Sequence, residues 1–136
     1  MSDSYINTTV EFNPVPVSAA FHDNDIDGVQ QAKRIIDADI SRHFTIEDIA
    51  RQVALGKTKL KYGFRLLYGK GLYTYLREAR MQKAMELVME THKTFKAIAK
   101  ACGFKHYNNF IAAFTKFHGT TPGNARKTRR IIKPLA

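Results

Sequence analysis

The sequence predicts an all-α fold made of two similar halves. Three observations lead there. Apolar residues recur at spacings of three and four from about Asp25 onward, glycines punctuate the pattern, and a stretch near residue 49 is echoed near residue 98. At 136 residues the chain suits one domain, or one domain with a tail.

The first segment, residues 1–24, alternates Ile6, Thr8, Val10 and Phe12 with polar residues before Pro14 and Pro16, which suits an edge strand or an extended or disordered stretch. Helical spacing begins with Val29, Ala32, Ile35, Ile36 and Ile40. At Thr45 a hydroxyl followed three residues later by Asp48 forms a capping-box pattern, so a second helix starts there and buries Ile46, Ile49, Ala50 and Val53. Gly56 then suits a tight turn. A third helix, Lys57 to about Tyr68, turns Leu60, Phe64 and Leu67 inward and stops at Gly69-Lys70-Gly71.

The run from Leu72 to Met89 keeps Leu72, Tyr75, Leu76, Ala79, Ala84, Leu87 and Val88 at helical spacing and reads as a long connector. Thr94 caps a further helix with Phe95, Ile98, Ala99 and Cys102 inward. Gly103-Phe104 leads into a last major helix with Phe110, Phe114 and Phe117, ending at Gly119 with Pro122 beyond.

The halves correspond residue by residue. Ile49-Ala50 matches Ile98-Ala99 at an offset of 49, whereas Leu60, Phe64 and Gly69 match Phe110, Phe114 and Gly119 at an offset of 50. The second turn is therefore one residue longer. A short helix, a glycine-containing turn and a second helix make the helix-turn-helix plan, in which the first helix braces the second for entry into a DNA major groove. A helical hairpin repeat used for protein contacts shares the apolar spacing.

Charge separates these readings. The chain carries 22 Lys and Arg against 12 Asp and Glu, a formal net charge of +10. Residues 1–32 contain five acids and no Lys or Arg, so the rest holds every base against seven acids, a surplus of 15. Such a surface calls for a polyanionic partner, nucleic acid before an anionic membrane. Lys57, Thr58, Lys59, Lys61, Tyr62 and Arg65 surround the outer side of the third helix, where a protein-docking face would mix acids and large aliphatics.

The set Ile49-Ala50, Leu60, Phe64, Tyr75-Leu76-Arg77, Arg80, Ala84, Leu87, Ile98-Ala99, Gly103-Phe104, Phe110, Phe114, Gly119, Thr121-Pro122 and Arg126 resembles the AraC/XylS family of bacterial regulators over roughly residues 30–126. Lys59 to Arg65 is most similar to the siderophore-responsive, pyochelin-regulator-like branch. The resemblance implies a homeodomain-like fold of about seven helices: an AraC-type DNA-binding domain over 25–126, with helix-turn-helix units at about 45–68 and 94–118. A connector at about 72–89 joins them, and a basic tail at 127–136 follows. It also implies a sequence-specific transcription regulator. Three departures stand out: Gly56 where the family usually has a capping serine, Gly63 inside a helix, and Ala112 where some relatives place an arginine.

Base reading is expected from Thr58, Lys61 and Tyr62 in the first unit and Tyr107, Asn108 and Asn109 in the second, because Lys pairs with guanine, Asn with adenine, and Thr or Tyr touches the thymine methyl. Phosphate contacts are expected from Lys57, Lys59, Arg65, Lys105 and Lys116 and from the helix N-termini at Thr45 and Thr94. For both recognition helices to enter successive major grooves they must lie about 34 Å apart, and about 18 connector residues span roughly 27 Å. Arg77 and Arg80, beside Glu78, read as internal bonds that orient the halves.

No catalytic constellation is visible: the five histidines lack metal-ligand spacing, and Gly69-Lys70-Gly71 lacks the rest of a phosphate loop. Neither an enzyme nor a cofactor is expected. Cys102, the single cysteine, fits a reducing compartment and an inert core position. Double-stranded DNA is the expected partner, with RNA polymerase a candidate second one. No membrane partner is expected, nor an effector ligand on this chain, and the location is expected to be the cytoplasm, at the bacterial nucleoid. The rival readings are a helical protein-interaction adaptor and the DNA-binding fragment of a larger sensor or repair protein. Residues 1–28 are too short for the sensing domain usual in the family, so the chain is expected to be a fragment or to act without a ligand pocket.

Overall fold

Seven helices follow one another in the computed structural model, which describes residues 21–132: α1 (Asp23–Ala38), α2 (Ile46–Gln52), α3 (Lys57–Tyr68), α4 (Leu72–Glu90), α5 (Phe95–Ala101), α6 (Tyr107–His118) and α7 (Pro122–Ile132). The strand-like pattern at Ile6 to Phe12 lies outside the described residues. Among the described residues there is no strand, and the chain resolves into two compact units. One comprises residues 21–34 and Thr45–Gly71, and the other Ile35–Phe44 and 72–132.

In the first unit α2 packs on α3. Ile46, Ile49, Ala50, Val53, Leu60 and Phe64 are buried, as are Val29 and Ala32 of α1. Thr45 starts α2 by accepting the Asp48 amide at 3.1 Å, which satisfies one of the free N–H groups of the first turn. Gly63 has a packing reason. A Cβ there would lie 2.1 Å from the Phe21 ring and 2.7 Å from Val29 Cγ2, so only glycine lets α3 approach this closely.

The second unit is organised around α4, which contacts α5, α6 and α7. Its core comprises Met81, Ala84, Val88, Ile98, Ala99, Cys102, Phe110, Phe114 and Ala125. Burying each phenylalanine contributes about 1.5–3 kcal/mol, and Phe110 also meets Phe104 edge-on at 5.5 Å. Thr94 caps α5 through the Ala97 amide at 3.1 Å. Thr121 caps α7 through the Asn124 amide at 3.1 Å, with Pro122 at the first helical position, where its missing N–H costs nothing.

Two expectations are corrected. The tight turn between α2 and α3 is not made by Gly56, which is extended (φ −67°, ψ 154°). The left-handed residue is Ala54, at φ 57°, in the position that Gly103 occupies in the second unit at φ 90°. Both turns close in the same way, Leu55 donating to Ala50 O and Phe104 to Ala99 O, each at 3.0 Å. These are the six-residue closures of a helix end in which the preceding residue adopts the left-handed conformation.

The basic tail expected at 127–136 is helical through Ile132, as the last part of α7. An amphipathic pattern places Ala125 and Arg129 on its buried side. The guanidinium of Arg129 donates to Val88 O at 2.7 Å and to Thr91 O. Arg126 donates to Val88 O at 3.2 Å, Thr91 O at 3.2 Å and Lys93 O at 2.6 Å. Helix α4 has no base in its own last turn. Its terminal carbonyls, the negative end of the helix dipole, are instead satisfied from α7.

Candidate nucleic-acid interface

Each unit presents one helix of 12 residues, α3 or α6, braced by one of seven, α2 or α5. Both longer helices begin without a side-chain cap, at Gly56 and His106, and both end on a left-handed glycine, Gly69 at φ 77° and Gly119 at φ 75°. Their first-turn amides are therefore not satisfied by a neighbouring side-chain oxygen.

On α3, Lys57, Thr58, Lys61 and Arg65 are exposed, and the spacing 58, 61, 65 puts three of them on one face. Tyr62 is half-buried, its ring edge-on to Phe21 at 5.7 Å. Lys57 makes a surface ion pair with Glu47 of α2 at 3.2 Å, and Glu47 is held below the ordinary carboxyl range by its own backbone amide and then by Lys57. A pair this exposed opens readily to a competing anion.

Lys59 departs from the expectation of a phosphate contact. Two positions from Lys57 and Lys61, it points towards α1 and lies 2.8 Å from the Asp25 carboxylate, both side chains being largely covered. The lysine, followed by the backbone amide of His22, holds the Asp25 carboxyl below its ordinary 3.8. The pair fastens α3 to α1.

On α6, Asn108, Asn109, Ala112 and Lys116 are exposed, with Lys105 just before the helix. Tyr107 is half-buried against the second core, its ring 6.5 Å from that of Phe110. Thr45 and Thr94 lie at the starts of the bracing helices, their hydroxyls engaged in capping.

Sequence reasoning gave Arg80 an internal structural bond but not its partners, which are carbonyls rather than carboxylates, and it missed the same role for Arg126 and Arg129. Arg80 donates to Ile40 O at 2.7 Å and Arg42 O at 2.8 Å, fastening the loop after α1 to α4. No spacing rule points from Arg80 to residues 40 positions away. Cys102 is fully buried and its thiol is pushed up to about 11 by desolvation, which makes it a poor nucleophile at neutral pH. Among the described residues no group of His, Cys, Asp and Glu is arranged to hold a metal ion.

A short bracing helix, a tight left-handed turn and a second helix with bases and amides outward, formed twice, define a tandem helix-turn-helix protein. The model of the helix-turn-helix domain family matches residues 49–128. The transcriptional regulator ArgR of Pseudomonas aeruginosa is 30% identical over 100 residues, which cover 74% of this chain and 30% of that protein. The transcriptional activator RhaR of Klebsiella pneumoniae is 32% identical over 93 residues, 68% of this chain and 33% of that protein.

Among solved structures, the C-terminal domain of the two-component response regulator yesN from Fusobacterium nucleatum superposes with a TM-score of 0.68 at 28% identity, covering 74% of this chain and 98% of that one. The DNA-binding domain of AdpA, solved with a target DNA, has the same fold, with a TM-score of 0.74 at 19% identity over 80% of this chain and 98% of that one. The chain belongs to the AraC-type helix-turn-helix family. It spans about a third of the length of these curated relatives.

Proposed function

We propose that the chain binds double-stranded DNA sequence-specifically and serves transcription regulation, with α3 and α6 entering successive major grooves. The carrying observation is the repeated helix whose exposed face is basic and amide-bearing while its opposite face is the core of its unit. Thr58, Lys61 and Tyr62, with Tyr107, Asn108 and Asn109, stand where base edges would be read. Lys57, Arg65, Lys105 and Lys116 would neutralise phosphates, helped by the backbone amides near Thr45 and Thr94. Lys59 would act through Asp25, by positioning α3.

The role is one of recognition rather than catalysis, and the buried Cys102 thiol speaks against alkyl transfer. A cytoplasmic site of action fits a DNA ligand, and among the described residues no helix is long and apolar enough to cross a membrane. RNA polymerase is the natural second partner of a regulator, and a two-hybrid or pull-down measurement on promoter DNA would test it.

Selection from a random duplex library followed by fluorescence anisotropy tests the reading directly. An enriched site should bind at least about a thousandfold more tightly than scrambled DNA at physiological salt. Absence of binding to any duplex at low salt would leave a protein-interaction role instead.

A further inference from the structure

The second unit contains a cleft of about 500 Å³ bordered by Ser41, His43, Lys96, Lys100, Lys105 and Tyr107. Three sides have separate structural origins. One is the loop after α1, held in place by Arg80 through Ile40 O and Arg42 O. A second is α5, where Lys96 and Lys100 are four residues apart and so share a face. The third is the turn into α6, which comes close to the loop because Gly103 has no Cβ: one placed there would lie 2.9 Å from Ser41 O.

The polarity of this cleft is one-sided. No acid lines it. The Ser41 hydroxyl donates to Asp39 at 2.5 Å, so that nearby carboxylate is occupied within its own loop. Lys96, Lys100, Lys105 and His43 make no ion pair among the described residues and are all exposed. In the first unit, by contrast, Lys57 and Lys59 are matched to Glu47 and Asp25. Three lysines bordering one concavity with no acid among its lining suit a phosphate, which Lys binds as a point charge.

We propose that this cleft seats a backbone phosphate of the duplex, on the strand flanking the groove that α6 enters. The proposal rests on the DNA-binding reading above, and it adds Lys96, Lys100 and His43 to the residues that touch DNA. In a helix-turn-helix unit the first helix crosses the backbone while the second lies in the groove, and α5 is that first helix. The contact carries no base information. It anchors the second unit, whose recognition helix bears only one lysine, Lys116, within its length.

The test uses the full chain, its K96Q/K100Q variant, and Lys83→Gln as a control outside the cleft, with anisotropy titrations of a duplex across a salt series. For the double variant, the slope of log K against log salt should flatten by about 0.9 for each phosphate that is no longer neutralised. Relative preference among duplexes should stay as in the wild type, and Lys83→Gln should keep the wild-type slope. An unchanged slope in K96Q/K100Q while the wild type still binds DNA overturns the cleft but not the DNA reading. Wild-type chain that binds no duplex at low salt removes the reading itself, and the cleft with it. Calorimetry with inorganic phosphate provides the remaining arm. Micromolar binding that the double variant abolishes, with duplex binding untouched, would make the cleft a free-anion site and overturn the assignment to backbone.

Discussion

The turn between the two helices of each unit shows how a single backbone angle distinguishes residues at equivalent positions. Ala54 and Gly103 both adopt positive φ, which costs a non-glycine residue roughly 1–2 kcal/mol. Ala54→Gly should therefore raise stability by about 0.5 kcal/mol, the gain being reduced by the extra freedom glycine has in the unfolded chain. Gly103→Ala should do the opposite and lose roughly 2 kcal/mol or more, because the new Cβ would also crowd Ser41 O and Arg80. Urea titrations of the two variants measure both signs, and equal shifts would contradict the left-handed assignment. Asp25 adds a dependence on pH. Its carboxyl lies below the ordinary 3.8 in the folded chain, so its contribution is complete above about that value and disappears as pH falls through the folded one. Thermal melts of wild type and Asp25→Asn should thus differ by a constant amount from neutral pH down to about 5 and converge in stronger acid.

At the scale of elements, α4 and α7 depend on each other. Helix α4 ends without a basic residue of its own, and α7 supplies Arg126 and Arg129 to its carbonyls. Arg129 is only 4% exposed, so truncating it removes the charged donor from Val88 O and Thr91 O inside the unit and leaves these carbonyls to the longer bonds from Arg126. Arg129→Met should lower stability by about 2–3 kcal/mol, the scale of hydrogen bonds from a charged donor. Lys127→Met, on the exposed side of the same helix, should stay within about 0.5 kcal/mol of wild type. A denaturation midpoint for Arg129→Met equal to that of Lys127→Met would show that α7 is only appended. The helices themselves were legible in the sequence because each has an apolar stripe and most have a cap or a stopping glycine. Helix α7 is the exception: no helix is read beyond Gly119, because Arg126-Lys127-Thr128-Arg129-Arg130 has the composition of a solvated tail until Arg129 is seen to face carbonyls.

For the whole molecule, the two units differ in how their charge is disposed. On α3 the lysines at 57 and 59 are matched to acids of the first unit, which leaves Lys61, Arg65 and Thr58 outward. On α6 the outward face has amides, Ala112 and a single lysine, Lys116, with other bases before its start and on α5. Substituting Lys61 or Tyr62 by alanine should then reduce discrimination between selected and scrambled duplexes by about 1–3 kcal/mol, and Asn108→Ala should reduce it less. Competition titrations at fixed salt would check this, and equal losses at the three positions would remove the asymmetry.

The two repeated units, their caps, the inert core cysteine and the family were readable from residue order, since helical periodicity, capping and glycine placement act over a few positions along the chain. Which bases face outward was settled only in three dimensions. Lys59 and Lys61 are alike in sequence, but one reaches Asp25 and the other solvent. Arg129 is as basic as Lys127, yet it is buried on the carbonyls of a helix some 40 residues away. A charge can be counted from the sequence, whereas its partner is whatever group folding brings within hydrogen-bond distance.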